Sequence, residues 1–200
     1  MTNVNTSDEM GRVMLEATYS FRYAKRKKSW VSVRAFGGKQ YLSKFDQAIT
    51  GYQYSMSLSG TDGKQDLFVD EYYFGRNNLN GIWSQQRDEN MGGFKSTAYY
   101  GTTSNQMVTG NVYAQIPVLS GIFGVFADFG AFWNDTYTLN TAMNVGLGMR
   151  LGNVFGIYFP VWMSKELNDS YGNSAYAEKI RFTLKFNIAS KPMKLSALLN

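Results

Sequence analysis

Two pairs of adjacent carboxylates are the side chains of this chain best suited to chemistry: Asp70 with Glu71, and Asp88 with Glu89. Carboxylate oxygens are the ligands that Ca²⁺ and Mg²⁺ prefer. Neither pair lies in a defined ligand loop, and both fall near a polar, irregular stretch of sequence. Solvated loop charges therefore explain the two pairs more simply than a metal site does, and we predict no metal ligand.

Two further short segments resemble binding sites in composition but not in context. The polar run from Ser84 to Gln86, beside Trp83, would suit a sugar-binding surface, but the signal is weak. The glycine-rich "GLGMRLGN" at residues 146–153 lies in an alternating strand pattern and no helix follows it. It is therefore not a phosphate-binding loop, which needs a helix at that point.

The chain of 200 residues contains no cysteine and no histidine. Without cysteine it has neither disulfides nor a thiolate nucleophile, and without histidine the common hydrolase triads and zinc sites lose their usual members. We therefore predict that the chain is not an enzyme, and we assign it no catalytic residue, no metal and no cofactor.

Basic residues exceed acidic residues by 20 to 15, which gives a net charge of +5. They are scattered except at Lys25, Arg26, Lys27 and Lys28, a run that predicts either a solvated turn or a contact with phosphate or lipopolysaccharide. Aromatic residues follow the apolar strand parity instead of interleaving with the basic ones. We therefore predict no binding of nucleic acid.

The elements that must hold these residues are β-strands. In "EKIRFTLKFNI", residues 178–188, apolar residues occupy one parity and mostly charged or polar residues the other, which is typical of a strand with two different faces. Similar patterns predict eight to ten strands, the second ending at Gly37 and Gly38. The candidates are residues 13–23, 30–36, 48–58, 67–74, 94–100, 106–117, 121–132, 141–151, 154–163 and 177–188.

No linker-like segment divides the chain, so we predict a single domain over residues 1–200. Within it we expect a flexible N-terminal segment at 1–11, a long irregular loop at 75–91 and a C-terminal tail at 189–200. The connections near 118–120 and 152–153 are very short, while those at 133–140 and 164–176 are longer and polar. Short turns at one end and long loops at the other are typical of an outer-membrane barrel.

The alternating pattern alone fits two architectures. A soluble sandwich or lipocalin-type barrel would turn its apolar rows inward, whereas an outer-membrane barrel turns them toward lipid. Strand lengths of about 10 to 13 residues, apolar rows of large side chains, and a composition of 14 Tyr, 14 Phe and 20 Gly favour the membrane barrel. Aromatic residues near strand ends would form its interfacial girdles, and the examples are Tyr19, Phe21, Tyr23, Trp30, Phe132, Trp133 and Trp162.

We therefore predict an all-β fold, an antiparallel up-and-down transmembrane β-barrel of about eight to ten strands, complete or the C-terminal part of a larger barrel. It would lie in the outer membrane of a Gram-negative cell, among its lipids, with a periplasmic C-terminus. The lumen would hold polar side chains as structural ladders or as a selectivity lining for anionic solutes. These predicted residues are Glu16, Arg22, Arg34, Asp128, Arg150, Lys179, Arg181 and Lys185.

The first residues, "MTNVNTSDEM", have neither a basic start nor an apolar core, so they do not form a secretory signal peptide. An exported protein needs one. We therefore expect that the numbering begins after processing or that the chain is the C-terminal piece of a longer protein.

Several segments together resemble a known family pattern: "DEYYFGR" at 70–76, "SQQRDENMGGFK" at 84–95, "FADFG" at 126–130, "GIYFPVW" at 156–162 and "IRFTLKFNI" at 180–188. Over roughly residues 65–190 the chain resembles the C-terminal barrel-like region of certain large M1-type metallopeptidase-like proteins of Bacteroidota. The resemblance implies an outer-membrane location and an upstream zinc peptidase part with an HExxH-type helix. Because this chain lacks histidine, no zinc ligand carries over, and the resemblance makes the segment an anchor.

Two functions follow from these patterns. The first is an outer-membrane barrel that serves as an anchor or a narrow, porin-like pore. The second is a soluble β-barrel or sandwich that binds a lipid or glycan in an apolar interior. The direction in which the apolar rows point distinguishes the two. The oligomeric state is left open.

Overall fold

The structure is a computed structural model that describes residues 9–25, 29–44, 55–60, 74, 81–87, 89–96, 100–117, 121–134, 138–152 and 154–185. These residues form mainly antiparallel β structure with few helices, which confirms the all-β prediction.

The strands are β1 Glu9–Arg22, β2 Trp30–Lys44, β3 Met56–Ser57, β4 Thr102–Thr103, β5 Gln106–Gln115, β6 Phe123–Trp133, β7 Leu139–Leu151, β8 Phe155–Met163 and β9 Arg181–Leu184. The helices are a 3-10 turn at Ile82–Gln85, α1 at Lys165–Asp169 and α2 at Tyr176–Lys179. None of the helices in these ranges is long and apolar enough to cross a membrane.

Seven strands form one antiparallel sheet in the order β1-β2-β5-β6-β7-β8-β9, while β3 and β4 pair separately. The large sheet curls into a half-barrel. Its register is staggered: Val31, near the start of β2, aligns through β5, β6 and β7 with Phe159, in the middle of β8. Such a stagger is the shear that accompanies strand tilt in a sheet that curves toward a barrel.

The connections lie at two ends of this sheet. Because neighbouring strands are antiparallel, β1–β2, β5–β6 and β7–β8 connect at one end, which we call the turn end. The connections β2–β5, β6–β7 and β8–β9 lie at the other end, the loop end. The last of them holds α1 and α2. The predicted meander from residue 106 to 163 is confirmed, with strand limits within a few residues of those expected from the alternation.

Five sequence predictions differ from the structure. Residues 9–11 belong to β1 and not to a flexible segment. The pair Gly37 and Gly38 does not end β2, because both glycines continue the ladder with β1 and β5. Residues 94–96 are buried but irregular, and the predicted strand 177–188 begins only at Arg181, after α2. Within the predicted strand 48–58, only Met56–Ser57 is strand among the described positions.

Other predicted segments lie outside the described residues, either wholly or in large part. Residues 1–8, 67–73 and 189–200 are among them. Of the predicted irregular loop 75–91, the structure describes residues 81–87 and 89–91, and these include the 3-10 turn.

The apolar rows point outward from the curled sheet. In β6 the side chains of Phe123, Val125 and Phe129 are exposed, whereas the alternate residues, including Phe126 and Asp128, are buried. We call the outward side the convex face and the other side the concave face. Phe132, which the sequence placed in an aromatic girdle, is only 1% exposed, because it lies on the concave face.

An irregular stretch at residues 89–96, the inner segment, lies against the concave face. Phe94 of this segment donates its N–H to the Leu58 carbonyl at 2.7 Å and joins an apolar cluster toward the loop end. The members of that cluster are Phe36, Met56, Leu58, Phe94, Met107, Phe132, Ala142 and Leu167. The concave space is therefore filled by the chain itself, with apolar packing toward the loop end and polar contacts beyond it.

Replacing Gly92 with alanine should destabilise the fold. Gly92 has φ +71°, and a Cβ there would lie 2.1 Å from Thr109 Oγ1 and 2.8 Å from Phe36 Cβ. We expect a loss of about 1–3 kcal/mol in the free energy of unfolding, from backbone strain and overpacking together. Urea unfolding measures it. The control is Gly110→Ala, where a Cβ meets nothing within 4 Å, and equal losses in the two variants would refute the tight packing of the inner segment.

Candidate functional site

Polar side chains from several strands hold the backbone of the inner segment. The Gly92 N–H donates to Glu16 Oε2 at 2.9 Å, and Thr109 Oγ1 donates to the Gly92 carbonyl at 2.9 Å. Arg34 Nη2 donates to the Gly93 carbonyl at 2.7 Å, while its Nη1 donates to the Glu89 carbonyl. These contacts satisfy backbone groups that water would otherwise have to satisfy, so the polar concave residues act first as a scaffold.

A buried ion pair lies at the centre of this scaffold. Lys95 Nζ is 2.9 Å from Asp128 Oδ1, and the two side chains are 3% and 0% exposed. The Lys95 N–H donates to Asp128 Oδ2 at 2.8 Å, and Asn111 Nδ2 donates to Oδ1 at 2.9 Å. With three donors on one carboxylate, the pair has the additional hydrogen bonds that make burial of charge tolerable.

A second ion pair lies nearer the turn end. Arg150 Nη2 donates to both carboxylate oxygens of Glu89, at 2.8 and 2.7 Å, and Arg150 Nε donates to Tyr158 Oη at 3.0 Å. Tyr158 in turn donates its hydroxyl to Glu89. The guanidinium stacks 3.9 Å from the centre of the Tyr113 ring, a favourable cation–π contact. The cluster ties the inner segment to β5, β7 and β8.

The electrostatics of this cluster keep Glu89 ionised. Burial by itself raises the pKa of the carboxyl, but the charges of Arg150, Lys95 and Arg34 and the hydrogen bond from Tyr158 outweigh it. The net result is a pKa of about 2, against an ordinary value of 4.5. The carboxylate is therefore a permanent partner for Arg150 at neutral pH.

Stability should depend on the ionisation of Glu89. Because its folded pKa is depressed, the stabilisation is present above pH 4.5 and is lost as the pH falls toward 2. We expect Glu89→Gln to be less stable at pH 7 and to lose less stability than the unsubstituted chain between pH 5 and pH 3. Urea unfolding at several pH values measures this difference. Glu178→Gln, at an exposed site in α2, should keep the pH dependence of the unsubstituted chain; parallel curves for all three proteins would contradict the prediction.

The structure brings four of the predicted lumen residues together around the inner segment: Glu16, Arg34, Asp128 and Arg150. The parity of the strands indicates this grouping, since all four belong to the rows opposite the exposed apolar rows. The pairing between strands and inner segment has no counterpart in the sequence pattern.

Of the other four predicted lumen residues, Lys185 lines the same cavity as Glu16, Arg34 and Arg150, and the remaining three lie elsewhere. Arg181 is buried and donates to the Glu178 carbonyl at 2.7 Å. Arg22 is exposed at the end of β1, with its guanidinium 4.8 Å from the centre of the Trp30 ring. Lys179 was predicted wrongly as a strand residue: it ends α2 and donates to Asn168 Oδ1 at 2.8 Å.

Sequence reasoning missed two functional partners, Lys95 and Tyr158, and gave Glu89 a different role. It considered Glu89 a candidate cation ligand, whereas the structure pairs this carboxylate with Arg150. In the part of the chain that the structure describes, no cluster of three or more acidic residues could hold a metal ion. Asp70, Glu71 and Asp88 lie outside the described residues.

The polar run beside Trp83 has structural contacts. Gln85 Nε2 donates to the Ala177 carbonyl at 2.9 Å, and buried Gln86 accepts the Phe74 N–H through its side-chain oxygen at 3.1 Å. Arg87 also donates its N–H to the Phe182 carbonyl at 2.9 Å, so this run covers the edge of β9. These contacts account for the polar residues of the run without a bound sugar.

Two cavities of about 210 and 250 Å³ open beside the inner segment. Both are lined by Glu89, Arg150 and Lys185, and Gly152 and Phe155 place the second at the turn end. The walls of the first are mainly polar, whereas those of the second are polar and apolar in equal measure.

Comparisons of the chain with protein-family models, with curated proteins and with solved structures found no match. The resemblance to the barrel-like region of M1-type metallopeptidase-like proteins therefore stays a prediction.

Proposed function

We propose that the chain is an outer-membrane β-barrel protein that acts as a membrane anchor, with its convex face in contact with lipid. The observation that carries the proposal is the distribution of side chains: long apolar rows point outward, while two ion pairs and their hydrogen bonds lie inside beside an apolar cluster. A soluble protein of this size seldom exposes such apolar rows while it buries ion pairs.

The convex face is apolar across several neighbouring strands. Exposed side chains there come from β1, β2, β5, β6 and β7, and they include Val13, Leu15, Tyr19, Val33, Val108, Val112, Phe123, Val125, Phe129, Met143, Val145, Leu147 and Leu151. A contiguous apolar surface over five strands exceeds what soluble monomers normally expose. Lipid chains are an environment in which this surface costs nothing to expose.

The filled concave face favours an anchor over an open pore. The inner segment and the cluster around Phe94 occupy the space that a conducting lumen would need. Small barrels are generally filled by side chains in this way. We propose no solute specificity for the chain, and an anchor is also the role that the metallopeptidase-like resemblance implies.

The soluble alternative predicts the reverse arrangement, with apolar rows inside and a lipid or glycan among them. The exposure of Val125 and Leu147 and the burial of Asp128 and Asn144 do not favour it. The mainly polar walls of the smaller cavity do not favour a lipid ligand either.

The two ends of the sheet suggest an orientation. The turn end carries the short connections, which face the periplasm in outer-membrane barrels, as would the end of β9. The basic turn begins at exposed Lys25 on this same end, while Arg26, Lys27 and Lys28 lie outside the described residues. In this orientation the basic turn meets phospholipid headgroups of the inner leaflet, and a contact with lipopolysaccharide would require the opposite orientation.

Heat-modifiable gel mobility tests the proposal. The purified chain, folded into detergent micelles, is expected to migrate faster unboiled than boiled, and only when detergent was present during folding. A monodisperse, β-rich monomer in detergent-free buffer would contradict the proposal. Planar-bilayer recordings then separate the two membrane roles: an anchor gives no steady conductance, whereas a pore does.

A further inference from the structure

We infer that the cavity between the inner segment and strands β1 and β2 binds a small phosphate-type anion, with Arg34 as its principal ligand. This cavity has a volume of about 210 Å³, and its walls include Arg34, Thr18, Ser32, Lys185 and Glu16. It lies on the concave face, so the inference does not depend on whether lipid covers the convex face.

Arg34 forms no direct ion pair with a carboxylate of the described residues, although its charge acts on Glu89 at longer range. Its three nitrogens donate to neutral oxygens: Nε to Asn111 Oδ1 at 3.0 Å, Nη2 to the Gly93 carbonyl at 2.7 Å, and Nη1 to the Glu89 carbonyl. Two other cations of the cavity wall differ, because Lys95 pairs with Asp128 and Arg150 with Glu89. A guanidinium next to a polar cavity without its own carboxylate is a favourable site for an anion.

Hydroxyl groups beside Arg34 complete the donor set. Thr18 lies directly opposite Arg34 in the β1–β2 ladder, and Ser32 precedes Arg34 by two residues, on the same face of β2. Guanidinium and hydroxyl donors together are the groups with which proteins bind phosphate oxygens. Lys185 adds a positive charge to the lining from the end of β9.

Two carboxylate residues, Glu16 and Glu89, line the same cavity and oppose an anion, but Glu89 is paired with Arg150. Glu16 is therefore the carboxylate whose neutralisation tests the site. Glu16 accepts the Gly92 N–H at 2.9 Å and lies on the exposed edge strand β1. Glutamine at this position keeps an oxygen acceptor for Gly92 but removes the negative charge. Anion affinity should therefore change in opposite directions when Glu16 and Arg34 are each neutralised.

Isothermal titration calorimetry of the full chain, folded in an uncharged maltoside detergent at constant ionic strength, tests the inference. Inorganic phosphate should bind to the unsubstituted chain, Arg34→Gln should bind about tenfold more weakly or not at all, and Glu16→Gln several-fold more tightly. Lys39→Gln removes an exposed charge from the convex side of β2 and should leave the affinity unchanged.

Short-chain phosphatidic acid, titrated in the same way, distinguishes the source of the phosphate. Tighter binding of the lipid than of inorganic phosphate would assign the site to a headgroup, and the reverse to a free anion. If Arg34→Gln does not fold, Arg34→Lys takes its place. Because lysine keeps the charge but has fewer donors, this variant should retain part of the affinity. Absence of heat for both phosphates, or equal affinities in the Arg34, Glu16 and Lys39 variants, would overturn the inference.

Discussion

Replacing Leu147 with arginine should lower the free energy of unfolding by about 2–4 kcal/mol in a lipid bilayer, because a charge near the bilayer midplane of a barrel costs that much. Leu147 lies on the convex face of β7, directly opposite Phe159 in the middle of β8. In water, an arginine at an exposed surface site would change stability by only about 0.5 kcal/mol. Urea unfolding in lipid vesicles, followed by tryptophan fluorescence, measures the difference.

The same strand offers a matched control. Leu151 is 50% exposed, as is Leu147, and it lies on the same face but at the turn end of β7. Arginine at this position should cost about 0–1 kcal/mol, since it reaches the interface. Equal effects at the two sites would mean that the convex face does not cross a membrane.

Replacing Asp128 with asparagine should cost about 3–5 kcal/mol, since it leaves the ammonium of Lys95 buried without a counter-charge. The side chain of Lys95 is 3% exposed, so water cannot easily replace the lost carboxylate. The asparagine oxygen can still accept one of the existing hydrogen bonds, so the effect isolates the charge. Equilibrium unfolding of the detergent-folded protein is the measurement.

A double substitution distinguishes the cost of one unpaired charge from the contribution of the whole ion pair. Lys95→Met combined with Asp128→Leu removes both charges and should restore a large part of the stability lost in Asp128→Asn, because apolar pairs often replace buried ion pairs without loss. Asp169→Asn, at an exposed position in α1, should have almost no effect. An Asp128→Asn protein as stable as the unsubstituted chain would show that water reaches the inner segment freely.

The sequence predicts the strands of the meander well, but it predicts the contacts inside the curled sheet poorly. From Gln106 to Met163 the period-two pattern predicts strands, turns and shared faces, because each side of the sheet meets a different environment. It does not indicate which environment is which, since a soluble barrel and a membrane barrel share the same alternation. Side-chain exposure shows which row points outward, namely the apolar row of Val125 and Leu147.

The inner segment could not be predicted for a different reason. Residues 89–96 have no periodicity, and their contacts are made with strands far away in the chain, such as Glu89 with Arg150 and Lys95 with Asp128. Parity shows that Asp128 and Arg150 share a face but not what they contact. The glycines of this segment were a usable signal: the close approach of Gly92 to Phe36 requires a residue without a side chain.

Spin labels along β1 test the central claim, that the convex face contacts lipid, most directly. The chain has no cysteine, so single cysteines introduced from Val13 to Ser20 accept one nitroxide each, and side chains of both faces are exposed in this stretch. In lipid vesicles, labels at positions 13, 15, 17 and 19 should collide mainly with oxygen dissolved in the acyl chains, and those at 14, 18 and 20 mainly with a water-soluble nickel chelate. Equal access of the nickel chelate to both parities would contradict the account.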